Sequence, residues 1–331
     1  MKRNFTNSEL SAYQDCPFKW YFKYDQKLTP GREQNKLSFG RIMHEALHLF
    51  YAKNYETANA YLETQHNDAL QNAGDDEQVA EIEQSRLLMK GMLLNYGVFA
   101  KAHDDFKVVE LETQHTVPII APSGNKSSQF EYSFKPDQVI ERNGGLWLHE
   151  FKTAATIDTN YVSNLVLDEQ MSRYTWALEK ATGKTVEGAV YSILRKKLPV
   201  IPEILKNKSL SKAKNIDTTY DVYLSTINAN GLNVADYQEI LDILKAKGNS
   251  FIIREVVLRN KREKSECEKR LYTLCKTLST DAPVYKCPGR DCTWKCDFRI
   301  LCVEDNPEAR ATFKTREDYH PELKQEEKVN G

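Results

Sequence analysis

The chain has 331 residues, of which 40% are hydrophobic and 28% are charged, a balance that supports a sizeable folded core and excludes a mainly disordered chain. We find no apolar stretch of the roughly 20 residues that cross a bilayer, and the first residues lack the apolar segment of a signal peptide, so we expect a cytoplasmic protein with no membrane partner. The 46 Lys and Arg residues nearly balance the 47 Asp and Glu residues. Any nucleic acid would therefore bind at local basic patches and not on a globally cationic surface.

The N-terminal third is predicted to be mainly helical. Residues 6–27 begin with a Ser/Glu capping pattern and continue with aromatic residues at helical spacing, which predicts a short helix. Residues 38–53 show the apolar periodicity of an amphipathic helix, and residues 55–103 have a helical pattern as well. From residue 106 to residue 120 the pattern changes to the alternation typical of strands.

A β-hairpin is the clearest element in the middle of the chain. Alternating apolar residues on both sides of Asn143-Gly144-Gly145 predict two strands joined by a tight turn. Residues 166–182 then predict a helix and residues 185–194 a further strand. This order of helices and strands indicates an α/β core.

The C-terminal part is predicted to be helical and polar. Residues 200–250 are Lys-rich and then helical, which indicates an insertion outside the core, and residues 251–280 predict one long helix. Basic residues at Arg254 and Arg259 on that helix and at the lysines of residues 206–214 could contact the phosphates of a nucleic acid, and for the lysines a solvated face is an equally good explanation. The charged tail beyond about residue 306 is expected to be loosely ordered.

The hairpin carries a set of residues that suits metal chemistry. Glu150 and Lys152 alternate onto one face of the second strand, and the turn can bring Asp137 of the first strand beside them. Carboxylate oxygens are the ligands that Mg²⁺ and Mn²⁺ prefer, and a lysine beside such an ion can orient or deprotonate a water molecule. The alternative is an ordinary surface ion pair between Glu150 and Lys152.

A competing motif lies in the second helix. His44-Glu45-Ala46-Leu47-His48 satisfies His-Glu-x-x-His, which in zinc metalloproteases supplies two metal ligands and a general base. Such a motif has only three fixed positions and needs a third ligand downstream, and no obvious one follows in the next helical stretch. The protease interpretation would also leave the hairpin residues and the cysteines without a role.

The seven cysteines are unevenly distributed. In a reducing compartment their spacing indicates metal binding, thiol chemistry or burial more than structural disulfides. Cys292, Cys296 and Cys302 lie on one loop, and the fourth ligand of a zinc site or an iron-sulfur cluster would be Cys287 nearby or Cys16 far away. Cys267 and Cys275, eight positions apart on the predicted helix, are interpreted as buried small residues.

The spacing Pro136-Asp137, twelve residues, Glu150-x-Lys152 on a hairpin resembles the active-site motif of the PD-(D/E)XK nuclease superfamily, and the segment KPDQVIERNGGLWLHEFKTA resembles its RecB-like branch. The resemblance implies a restriction-endonuclease-like α/β core, a central mixed sheet flanked by helices, with helical insertions. It assigns His44 as a metal ligand beside Asp137 and Glu150, and Gln170 and Tyr174 of Gln-x-x-x-Tyr as supporting site residues. An upstream acid would be Glu112, with Glu110 as the alternative register.

The cysteine pattern resembles that of the iron-sulfur members of this branch, the AddB-like, CRISPR-associated and phage-encoded enzymes. That resemblance implies a 4Fe-4S cluster on Cys16, Cys292, Cys296 and Cys302, with Cys287 as an alternative ligand and zinc as an alternative metal. The implied organisation is an iron-sulfur domain formed by both termini around the nuclease core, divided as residues 1–30, core 31–199, helical insertion 200–250, helix and cysteine loop 251–305, and charged tail 306–331.

Together the motifs predict a Mg²⁺- or Mn²⁺-dependent DNA nuclease, and the resemblance favours an exonuclease acting on single-stranded DNA or DNA ends in repair, recombination or processing. The sequence contains no Gly-x4-Gly-Lys-Ser/Thr nucleotide-binding loop, so any helicase or recombination partner would be a separate protein. The alternatives are a noncatalytic DNA-binding factor with the same fold and, more remotely, the zinc metalloprotease.

Overall fold

The computed structural model describes residues 2–31, 39–280, 284–293 and 295–323, apart from the side chain of Glu322. Trp294, whose ring makes it a candidate for stacking against nucleic-acid bases, lies outside these residues, as does the end of the predicted charged tail. Among the described residues, none of the helices combines the length and the apolar character needed to span a membrane.

The N-terminal segment is a strand followed by short helices. It comprises β1 (Arg3–Thr6), α1 (Asn7–Asp15), α2 (Pro17–Trp20), a π-helical turn (Tyr21–Asp25) and β2 (Leu28–Pro30). The single helix predicted for residues 6–27 is therefore wrong. Cys16 between α1 and α2 has an extended backbone, and Pro17, which has no N–H to donate, starts the next helix.

Three longer helices follow, α3 (Phe39–Ala52), α4 (Tyr55–Gln71) and α5 (Asp76–His103). The amphipathic helix predicted for residues 38–53 is confirmed. The helical stretch beyond it is divided because Asn54 and Asp75 each cap a new helix, accepting hydrogen bonds from the backbone N–H groups of Thr57 and Gln78.

The remaining elements alternate between strands and helices. They are β3 (Lys107–Leu111), β4 (His115–Ile120), β5 (Lys126–Phe134), β6 (Gln138–Arg142), β7 (Gly145–Ala154), α6 (Thr159–Asn164), α7 (Glu169–Thr182), β8 (Val186–Arg195), α8 (Tyr220–Ala229), α9 (Gln238–Lys247), β9 (Ile252–Leu258), α10 (Lys261–Leu278), α11 (Arg299–Val303), α12 (Pro307–Ala311) and β10 (Phe313–Thr315). Single 3-10 turns occur at Leu165–Leu167, Val234–Tyr237, Arg290–Thr293 and Pro321–Leu323.

The strands form a mixed central sheet and two smaller sheets. The central sheet has the order β3-β6-β7-β8-β9, in which β7 and β8 are parallel and the other neighbours antiparallel. The hairpin between β6 and β7 turns at Asn143 and Gly144, both with positive φ, as the Asn-Gly signal predicted. The other sheets are β1-β5-β4 and β10-β2.

Helices cover both faces of the central sheet. Phe151, Leu194 and Ile252 pack in one apolar cluster with α3, α4 and α5, while Leu148 and Tyr191 pack in another with α7 and α10. The predicted α/β class with a helix-flanked mixed sheet is therefore confirmed. Helices α8 and α9, which lie in the segment predicted to be a helical insertion, have a separate small apolar core.

Two C-terminal predictions are wrong. Residues 251–280 are not one helix: the β-branched run of β9 pairs with β8, and Asn260 and Glu263 form a capping box that starts α10. The tail is folded as far as residue 323, because β10 pairs with β2 and Tyr319 donates a hydrogen bond to the buried Glu9.

Candidate active site

The hairpin places Asp137 opposite Glu150, just before β6 begins. Gln138 is paired with His149, so Asp137 stands one position further along the ladder. Asp137 Oδ2 accepts a hydrogen bond of 2.9 Å from the backbone N–H of Phe151, and its carbonyl accepts one from Glu112 at the end of β3. The backbone therefore holds this carboxylate where three strands meet.

His44 reaches Asp137 from α3. The buried residues Ile42, Met43, Ala46 and Leu47 hold one side of α3 against the core, and His44 Nδ1 lies 3.5 Å from Asp137 Oδ2. Burial lowers the pKa of His44, but the hydrogen bond and the charge of Asp137 raise it by more, so the net pKa is raised. Burial raises the pKa of Asp137, but the hydrogen bond and the charge of His44 lower it by more, so the net pKa is lowered. The two side chains thus stabilise each other's charge.

Glu150 and Lys152 form the second half of the group. Glu150 has a side chain only 5% exposed and accepts a 2.8 Å hydrogen bond from Lys152 Nζ. Burial, and then the charge of Asp137, raises the pKa of Glu150 to about 7. Burial lowers the pKa of Lys152, but Glu150 and Asp168 outweigh it and the net pKa is raised. The neighbouring carboxylates therefore concentrate negative charge at this point, and a bound cation would reduce the repulsion between them.

Helix α7 supplies the two residues of the Gln-x-x-x-Tyr motif. Gln170 Oε1 lies 3.5 Å from Lys152 Nζ, and Tyr174, one turn later, is buried against Phe134. The structure therefore brings Gln170 to the lysine, while Tyr174 lies deeper, beneath the same group.

The structure separates the two candidates for the upstream acid. Glu110 accepts a 2.7 Å hydrogen bond from His115, whereas Glu112 has a positive φ, accepts one from Lys135 and lies 3.9 Å from His48 Nδ1. Because Glu112 also bonds to the backbone of Asp137, it is the acid adjacent to the site. No sequence pattern indicated the contact between Glu112 and His48.

The donor set suits a hard divalent cation. Two carboxylates and one imidazole are close enough to perturb one another's pKa values. Within the described ranges, however, no three His, Cys, Asp or Glu side chains are already gathered as a metal-binding group, and Glu150 is turned towards Lys152. The residues fit Mg²⁺ or Mn²⁺ by their chemistry. The two histidines of the protease-like motif face separate carboxylates, so the zinc protease interpretation gains no support.

Five cysteines line a single cavity of about 750 Å³ where the two ends of the chain meet. They are Cys16, Cys287, Cys292, Cys296 and Cys302. The backbone N–H of Cys287 donates to Cys16 Sγ at 3.4 Å, and that of Gly289 donates to Cys292 Sγ at 3.3 Å. Both the near and the distant candidate for a fourth ligand are therefore present. Cys267 and Cys275 are buried elsewhere in the core.

The two arginines chosen for DNA contact have other partners. Arg254 lies in β9, where it pairs with Asp104 at 2.8 Å and bonds to Ser192. Arg259 is 4% exposed and donates to Ser172 Oγ and to the carbonyls of Leu165 and Asp168. The long helix predicted to present them is wrong, since Arg254 lies in β9 and Arg259 precedes α10, whereas their contact with DNA stays a prediction.

The geometry defines an α/β protein with an acidic, lysine-containing site on a central hairpin. The model of the PD-(D/E)XK nuclease superfamily matches residues 4–303. The chain therefore belongs to the PD-(D/E)XK nuclease superfamily, whose members are typically phosphodiester hydrolases.

Other comparisons add little. Comparison with curated proteins gives no significant match. Among solved structures, the "Crystal structure of SSO0001" is similar at 11% identity and a TM-score of 0.36, with 91% of this chain and 86% of that chain covered.

Proposed function

We propose that the protein is a Mg²⁺- or Mn²⁺-dependent deoxyribonuclease of the RecB-like branch, an exonuclease acting on single-stranded DNA or DNA ends. The observation that carries the proposal is the convergence of Asp137, Glu150 and Lys152 on one hairpin, with His44 opposite them. A surface ion pair does not explain a carboxylate that is 5% exposed beside a second carboxylate.

Each side chain has a distinct role in this proposal. Asp137 and Glu150 hold the ion, His44 completes its ligands, and Glu112 is a further acid beside them. The ion, when bound, activates water and stabilises charge on the phosphate under attack. Lys152 orients that water and offsets negative charge.

Gln170 contacts the Lys152 ammonium group and helps to fix its position. Tyr174 packs against Phe134 and so holds α7 against β5. DNA would pass over the open side of this group. A helicase or recombination protein would be a separate partner, and repair, recombination and DNA processing are the roles that suit such an enzyme.

We further propose that the cysteine cavity holds a 4Fe-4S cluster on Cys16, Cys292, Cys296 and Cys302. The fit rests on donor chemistry, since thiolates are the ligands of such clusters, and on a cavity that five cysteines share. Cys287 is the alternative ligand, because its backbone bonds to Cys16 Sγ. Zinc is the alternative metal.

The nuclease proposal is tested with oligonucleotides labelled at either end, as single strands and duplexes, with Mg²⁺, Mn²⁺ or a chelator. We expect end-dependent degradation that the chelator abolishes. Asp137→Asn and Glu150→Gln should each reduce the rate by about 100-fold to 10,000-fold. Glu141→Gln, which alters an exposed carboxylate of β6, is the matched control and should cleave like the wild type.

Two results would contradict parts of the proposal. DNA binding without cleavage in Mn²⁺, unchanged in Lys152→Ala, would identify a noncatalytic factor. Cleavage of a circular single strand at the rate of a linear one would replace the exonuclease with an endonuclease.

A further inference from the structure

Asp168 has a place in the site that no sequence motif indicated. It precedes α7, and its Oδ1 accepts hydrogen bonds from the backbone N–H groups of Gln170 and Met171, at 2.9 and 3.4 Å. Its Oδ2 lies 3.9 Å from Lys152 Nζ. One carboxylate therefore caps the helix that carries Gln170 and also faces the lysine with which Gln170 interacts.

The surrounding structure fixes Asp168 from two sides. Tyr191 of β8 donates a hydrogen bond of 3.2 Å to Oδ2. The guanidinium group of Arg259 donates to the carbonyls of Asp168 and Leu165 and to Ser172 Oγ, so it braces the turn that leads into α7. A helix cap alone needs neither of these contacts, because Asp75 and Asp158 cap α5 and α6 from exposed positions.

Lys152 consequently lies between two carboxylates. With Glu150 as its sole acidic neighbour, the ammonium group would be free to follow that side chain when Glu150 turns to bind a cation. Asp168 attracts the ammonium group from the other side, at a point determined by β8, β9 and α7 and not by the metal ligands. Opposite charges at this separation in a partly buried site attract strongly enough to set a side-chain position.

We propose that Asp168 is a positioning residue of the nuclease site: with Tyr191 and Arg259 behind it, it keeps the Lys152 ammonium group beside Gln170 when Glu150 binds the metal ion. The inference rests on the proposed nuclease function. It assigns Arg259 a place behind the site, where its guanidinium group contacts the turn that leads into α7.

Asp168→Asn separates this role from helix capping, because asparagine caps helices as well as aspartate but has no charge to attract the lysine. We expect the variant to have the wild-type melting temperature and KM for DNA, and a kcat that is lower by about 10-fold to 100-fold. Asp75→Asn, the same change at the cap of α5, is the matched control and should have the wild-type kcat.

A double variant tests whether Asp168 acts through Lys152. In a Lys152→Ala background, Asp168→Asn should cause no further loss of kcat, since there is no ammonium group to position. The proposal is overturned if Asp168→Asn retains the wild-type kcat, or if it lowers kcat by the same factor with and without Lys152.

If the wild type cleaves no DNA, the proposed function fails, and the crystal structure of Asp168→Asn with Mn²⁺ still decides the inference. Displacement of Lys152 Nζ away from Gln170 supports positioning by Asp168. An ammonium group in its wild-type place overturns it.

Discussion

His149 lies beside Glu150 in sequence but is fully buried among other partners. Its Nδ1 is 2.8 Å from Gln138 Oε1 and its Nε2 is 2.8 Å from Ser192 Oγ. An amide oxygen accepts only, so Nδ1 carries the proton and Nε2 accepts from Ser192. Burial, and then the charge of Arg254, lowers the pKa of His149 to about 3. The folded state thus requires a neutral imidazole on β7, next in sequence to Glu150.

This requirement predicts a pH dependence of stability. The pKa of His149 is lower in the folded state than in the unfolded chain, where histidine titrates near pH 6.5. Above about pH 6.5 both states are neutral at this residue and it contributes no slope. As the pH falls below that value the unfolded chain alone binds the proton, so the free energy of unfolding should decrease by about 1.4 kcal/mol per pH unit from this group.

The effect is measured by urea unfolding of the wild type and of His149→Gln at pH values from about 7 to about 4. The free energy of unfolding should rise with pH less steeply in the variant than in the wild type, by about 1.4 kcal/mol per pH unit. Equal slopes for the wild type and His149→Gln would show that His149 does not resist protonation.

At this scale the sequence is informative where spacing encodes chemistry. That Asp137, Glu150 and Lys152 lie close together could be predicted because a hairpin of known turn type fixes which residues face one another. Their choice as site residues came from the resemblance to the nuclease motif. Asp168 could not be predicted, because its cap signal is common and its contact with Lys152 depends on where α7 lies against the sheet.

Strand β9 decides how the central sheet ends and where α10 begins. It pairs along β8, with Gly188 opposite Leu258. A Cβ atom built on Gly188 would overlap the carbonyl oxygen of Val257, so the two strands approach too closely for any side chain there. The sequence did not predict β9 as a strand, because charged residues lie in its middle and no turn signal separates it from α10. The hairpin, in contrast, is marked unambiguously by Asn143-Gly144.

Gly188→Ala should therefore separate β9 from β8 locally. We expect the free energy of unfolding to decrease by about 1 to 3 kcal/mol or more, the usual cost of forcing atoms into a packed site. Gly97→Ala in α5 is the matched control. The new methyl group would meet Phe50 at an ordinary 3.5 Å, and alanine favours helix over glycine, so stability should increase by about 0.5 to 1 kcal/mol.

Chemical denaturation of the three proteins provides the comparison. A Gly188→Ala variant with the wild-type free energy of unfolding would mean that β8 and β9 can move apart without loss of stability.

The N-terminal and C-terminal segments are held in place by contacts that do not involve cysteine. β1 pairs with β5, β2 pairs with β10, and Arg173 of α7 donates to Asn7 and Ser11 of α1. The resemblance of the cysteine pattern implied an iron-sulfur domain formed by both termini. The sequence could not predict these strand pairings, since short strands far apart in sequence have no local signal. A cluster across Cys16 and the cysteine loop would therefore close a loop that is already largely closed, and would stabilise less than the sequence separation implies.

This predicts a local response to loss of the cluster. Anaerobically purified Cys16→Ala should lose its iron and its visible iron-sulfur absorbance, and backbone amides of residues 284–302 should exchange faster with solvent. The β6–β7 hairpin should keep its protection, because the pairings above still hold the core together. Cys267→Ala, which removes a buried thiol outside the cavity, is the control and should retain iron and the wild-type exchange pattern. Undiminished iron in Cys16→Ala would exclude Cys16 as a ligand and favour Cys287. Zinc in place of iron in the wild type would replace the cluster with a single-ion site. Faster exchange throughout the central sheet would show that the cluster, and not the strand pairing, holds the N-terminal and C-terminal segments together.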